Sequence, residues 1–71
     1  MNTENIESQF NIDGIAQLII DDMNEDGLSV DTFEDYWPPS MHSLRSRSVE
    51  DSDISIIKGL VHKKVEQYFN S

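Results

Sequence analysis

The chain has no cysteine, which excludes disulfides and thiolate metal sites. It has no lysine or arginine before Arg45, only two histidines (His42 and His62), three glycines and two prolines. No apolar run approaches the roughly 18 residues that a membrane span needs. Met1-Asn2-Thr3-Glu4 lacks the positive and apolar regions of a signal peptide. Three scattered glycines make no phosphate-binding loop. Gly27-Leu28-Ser29 is not the Gly-x-Ser-x-Gly turn of a serine nucleophile. His42 sits among serines, and His62 stands beside lysines with no evident acidic group to orient it, so neither suggests a catalytic base. These absences point to a non-enzyme without a cofactor. The expected protein is soluble and cytoplasmic, read as complete from Met1; the missing cysteine is compatible with a reducing compartment.

What the chain has in excess is negative charge. Ten of its 14 acids lie in residues 1–44, where nothing basic offsets them, whereas residues 45–71 hold four acids against five basic residues. The formal net charge is −9 in 71 residues. A field of this kind bears on partners and solubility rather than on fold. It favours a basic partner surface and opposes direct contact with nucleic acid or an anionic membrane. Solubility alone needs a net charge of about 2–8 in a small domain, with the signs mixed.

Seventy-one residues make one domain at most. Such a chain buries only about 60% of its unfolded surface and depends on good helix packing, a second subunit or a partner. The pattern is all-α, a small bundle of three or four short helices. A helix-turn-helix fills the N-terminal half and a longer helix ends the chain. Ile12, Ile15, Ala16, Ile19, Ile20 and Met23 recur at the spacing of one helix face. Asn11 suits the N-cap, Asp13 the first turn and Gly27 a left-handed stop. Gly14 looks like a helix weakness of about 1 kcal/mol relative to alanine. Residues 1–9 read as partly frayed, with Ile6 and Phe10 either extending the helix or folding back on it.

A short second helix starts at a Ser29 cap, with Leu28 stapled on Phe33. Val30, Phe33, Tyr36 and Trp37 share its face, and Pro38-Pro39 ends it. Residues 40–53 are interleaved with serine and read as a mobile connector, with Met41 and Leu44 the makings of one further apolar turn. The last helix, capped by Asp51, Ser52 or Asp53, presents Ile54, Ile57, Val61, Val65 and Tyr68 as a seam. Ile56 and Leu60 lie about 200–240° around from Ile54. Either the connector or another chain must cover them, which makes both candidates for a homodimer interface.

Two groups of residues point toward binding. Asp22, Asn24 and Asp26, followed by Gly27, match the first half of an EF-hand calcium loop. The second half departs from it: the twelfth position is Phe33 instead of a bidentate glutamate, and Glu34 comes one residue late. An ordinary helix stop explains the same run. The larger group is Asp21, Asp22, Glu25, Asp26, Asp31, Glu34 and Asp35, seven acids within fifteen residues, followed directly by Tyr36 and Trp37. Charge would steer an encounter there and the aromatics would anchor it. Trp37 suits the core better than a binding surface, since so short a chain has few large apolar groups.

The expected function is an acidic binding protein, an inhibitor that occupies the basic surface by which a nuclease or a DNA- or RNA-binding complex holds phosphates. Phage and plasmid antagonists of host defence and nuclease immunity proteins follow this logic. A helical protein–protein interaction module or homodimer is the alternative, and a weak calcium-binding helix-loop-helix is a third reading. The serines of Arg45-Ser46-Arg47-Ser48 add a minor possibility of phosphorylation.

Overall fold

A computed structural model describes residues 3–27 and 30–70. The protein is all-α. In chain order it comprises α1 (Thr3–Gln9), α2 (Ile12–Glu25), a 3₁₀ turn (Val30–Thr32), α3 (Phe33–Tyr36), α4 (Pro38–Ser46) and α5 (Asp51–Asn70). There is no strand among the described residues, and none of their helices is long and apolar enough to cross a membrane.

The α2 stripe forms as its periodicity demands: Ile12, Ala16, Ile19, Ile20 and Met23 are buried, while Ile15 is half-buried at its edge. The Asn11 side chain accepts a hydrogen bond from the Gly14 amide at 3.0 Å and caps the helix. This contact adds a second consideration to the low helix propensity of Gly14. A Cβ there would lie 2.8 Å from the Asn11 Cγ, so glycine makes room for the cap. At the other end Gly27 takes φ +72° and stops the helix.

α2 makes its most extensive contact with α5. From α5 come Ile54, Ile57, Val61 and Val65, all buried. Tyr68, the last member of the expected seam, is 48% exposed; its hydroxyl accepts from Asn24 Nδ2 at 2.9 Å and so still ties α5 to α2. Phe33 and Trp37 wedge beside this pair, and Phe33 stacks on Trp37 (centroids 6.0 Å apart) and on His62 (4.5 Å). Each buried aliphatic or aromatic side chain of this core contributes on the order of 1.5–3 kcal/mol.

Three segments depart from expectation. Residues 3–9 form a helix whose Ile6 is buried and which contacts α5, so this part of the chain start is packed. Pro38-Pro39 does end α3 but also opens α4, where proline's missing N–H is no loss. Trp37, between the two helices, keeps helical angles despite preceding a proline. Its amide donates to Phe33 O at 3.0 Å and its side chain is locked in the core, which outweighs the usual bias. The connector expected over residues 40–53 is accordingly mostly helix, and only residues 47–50 link α4 to α5. The cap at Ser29 and the Leu28 staple lie outside the described residues.

α4 stops in a Schellman turn. The Val49 amide donates to Leu44 O (3.1 Å), the Ser48 amide to Arg45 O (3.0 Å), and Ser48 sits at φ +65°. Val49 then packs on the core that contains Leu44. With α1 and α4 both against α5, Ile56 and Leu60 are half-buried and packed on the core. The chain's own core thus takes up part of both candidate side chains. The large apolar side chains that remain exposed among the described residues are Leu18 (68%) and Tyr68.

Two positions share a left-handed backbone but differ in residue, so they should respond with opposite signs. Gly27→Ala is expected to lower unfolding free energy by about 1–2 kcal/mol, the left-handed penalty of a Cβ. Ser48→Gly is expected to raise it by about 1 kcal/mol by removing that same penalty. Urea unfolding followed by circular dichroism checks both, and equal signs would contradict the backbone assignment.

Candidate functional site: an acidic face at the end of α2

The helix period places Asp21, Asp22 and Glu25 on the final turns of α2, and Asp26 caps it; all four are exposed. The last turn contains no basic residue. This is the negative end of the helix dipole, where each exposed carboxylate costs about 0.3–1 kcal/mol at low salt. The 3₁₀ turn and α3 then present Asp31, Glu34 and Asp35, also exposed.

Tyr36 joins the two halves of this face. It is half-buried, and its hydroxyl donates to Asp26 Oδ2. That bond is the main reason why the phenol is pushed up to about 12; desolvation adds to it, followed by the charges of Asp26, Asp22 and Asp35. One phenol thus feels carboxylates from both α2 and α3. Trp37, the other expected anchor, is 3% exposed and belongs to the core, so Tyr36 is the aromatic that the face presents.

The cations of the C-terminal half neutralise only part of the acidic half. Lys58 Nζ pairs with Glu34 Oε2 at 2.7 Å, Lys64 Nζ with Asp13 Oδ1 at 2.7 Å and Arg45 Nε with Asp51 Oδ1 at 3.2 Å. The Asp13 bond raises the Lys64 pKa above its ordinary value. These pairs are partly exposed, and each contributes about 0–1 kcal/mol. Glu34 is therefore turned away from the acidic face toward α5, a pairing across 24 residues that no local pattern reveals. Asp21 accepts from Gln17 Nε2 at 2.8 Å, a neutral donor one helical turn back. Among the described residues, no cation lies within ion-pair distance of Asp21, Asp22, Glu25, Asp26, Asp31 or Asp35.

The calcium reading fares differently. Asp22 and Asn24 belong to α2 itself, about 200° apart around its axis, and so do not converge as loop ligands. Asn24 is turned to Tyr68, and Asp26 is held by Tyr36. No group of three or more His, Cys, Asp or Glu side chains among the described residues could hold a metal ion. Of the histidines, His42 is exposed, and His62 stacks on Phe33. His62 does have an acidic neighbour, Glu66, one turn along α5 at 3.9 Å, an i,i+4 relation readable from the sequence.

No protein-family model matches the chain, and neither a curated protein nor a solved structure matches it.

The Tyr36–Asp26 bond should be visible in alkali. A phenol raised from 10.0 to about 12 in the folded state favours folding below pH 10, and this contribution is lost as pH rises from 10 to about 12. In a Tyr68→Phe background, phenolate absorbance should appear only near pH 12, and Asp26→Asn should bring it down toward 10. Ionisation near 10 before the Asp26 change would contradict the bond.

Proposed function

We propose that the chain is a non-enzymatic acidic binding protein. It acts as an inhibitor that occupies the basic surface through which a nuclease, or a DNA- or RNA-binding complex, holds phosphates. The observation that carries this reading is the exposed set Asp21, Asp22, Glu25, Asp26, Asp31 and Asp35, which has no cation partner among the described residues. Asp22, Asp26 and Asp35 act on Tyr36, and Asp21, Asp22, Glu25 and Asp26 sit where the α2 dipole penalises them. Groups held against local stability are the expected signature of a binding surface. Lysines and arginines that would otherwise displace counterions from nucleic acid would pair with these carboxylates instead. The mechanism is competition for one surface and needs no chemistry.

A helical interaction module is the second reading, favoured by the exposure of Leu18. Its homodimer form through Ile56 and Leu60 loses support, because both pack on the chain's own core.

The test is affinity capture from a cell lysate at about 50 and 300 mM salt, with and without duplex DNA as competitor. The retained proteins should be rich in nucleic-acid binders, and both the higher salt and the DNA should release them. A bait carrying Asp21→Asn, Asp22→Asn, Glu25→Gln and Asp26→Asn should retain at most about a tenth as much, since rim charges of this kind govern encounter and salt dependence. Capture that ignores salt, DNA and those four substitutions would overturn the reading.

A further inference from the structure

Leu18 interrupts the amphipathic logic of α2. It lies about 120° from Ile12, the start of the buried stripe, and is 68% exposed. Beside it runs a groove of about 660 Å³ between α2 and the α3–α4 segment. Ile15, Leu18, Ile19, Pro39 and Leu44 give it an apolar lining, and Asp22, Asp35 and Tyr36 stand at one end. A second hollow of about 440 Å³ continues past the same Ile15 and Leu18 toward Gly14. Arg47 lines the groove as well. Its guanidinium lies 5.9 Å from the centre of the Phe10 ring, just ahead of α2, whereas Asp22 is near the end of that helix. Ser40 and Ser43 also line it, so the groove carries apolar and hydroxyl side chains along its length and is polarised at its ends.

We infer that this groove is a docking site for a basic amphipathic helix of the partner. The helix would place an apolar stripe on Ile15, Leu18 and Pro39 and its lysines or arginines beside Asp22 and Asp35. This deepens the proposed function and rests on it, since it names the element of the basic partner that is bound. Charge complementarity selects the occupant. A second copy would bring its own net charge of −9 and the same carboxylates into the same place. A strand would find no sheet edge to extend among the described residues. A helix laid in a groove between helices needs only side-chain contacts, with apolar anchors spaced three and four apart. Arg47 sets its direction: the basic end lies at Asp22 and Asp35, and an acidic or C-terminal end lies at Arg47.

The test uses the intact chain and three synthetic helical peptides of about 18 residues. One alternates a leucine stripe with lysines, the second replaces its leucines by alanine, and the third replaces its lysines by glutamate. By calorimetry at low salt, the leucine–lysine peptide should bind at least about tenfold more tightly than the alanine version, which is the equivalent of burying one leucine. The glutamate version should not bind. Leu18→Gln, whose side chain is exposed and whose fold is checked by circular dichroism, should weaken the leucine–lysine peptide about tenfold. Amide shifts should centre on Ile15, Leu18, Ile19 and Leu44. If the leucine and alanine peptides bind equally and Leu18→Gln changes nothing, the groove is overturned while the acidic face stands. If no lysine peptide binds at low salt, both fall. A wild-type dimer in sedimentation that Leu18→Gln disperses would assign the groove to a second copy and also overturn the proposal.

Discussion

The contact of α2 with α5 is the constraint on which the rest of the molecule hangs. Ile19, Ile20 and Met23 on one helix and Ile57, Val61 and Val65 on the other are all but inaccessible to solvent. Neither stripe could remain in water without the other, and no disulfide or metal site is present among the described residues to hold them. α1 adds Ile6, the 33–37 segment adds Phe33 and Trp37, and α4 adds Leu44. A chain of this length has little stability to spare, so nearly every large apolar side chain among the described residues is recruited. That economy makes the exposed Leu18 conspicuous.

Charge works in the other direction. The three pairings of Lys58, Lys64 and Arg45 satisfy Glu34, Asp13 and Asp51 and leave the end of α2 untouched. Its carboxylates repel one another and the helix dipole. Tyr36 gives Asp26 a neutral hydrogen bond, which orients the group without cancelling its charge. A surface arranged in this way can attract a cationic partner from a distance and give it an oriented aromatic to meet. The apolar groove alongside would convert that attraction into a fixed pose.

Much of the fold is readable from the residues. The α2 stripe, its Asn11 cap, its Gly27 stop and the first four members of the α5 seam appear where their spacing puts them. α4 escapes such reading for physical reasons. Pro38-Pro39 signals a stop as strongly as a start, and a serine-rich segment with Met41, Leu44 and Val49 as its few apolar residues shows too little periodicity. The Ser48 turn uses a residue that rarely adopts positive φ. The acids of the candidate face were legible as a run, and their exposure follows from it. The removal of Glu34 by Lys58 and of Trp37 by the core depends on contacts between elements distant in sequence or on packing. Leu18, off the α2 stripe by simple counting, was the available sign of the groove.

The most direct measurement is the thermal midpoint of the wild-type chain between about 10 and 300 mM sodium chloride, a range over which screening shortens from about 30 Å to below 8 Å. If the carboxylates at the end of α2 are uncompensated, the midpoint rises with salt. That rise is largely lost in a variant carrying Asp21→Asn, Asp22→Asn and Glu25→Gln, which already melts higher at low salt. A midpoint that falls with salt, or a variant less stable than wild type at low salt, would show that those charges are paired within the fold and would contradict a face held open for a partner.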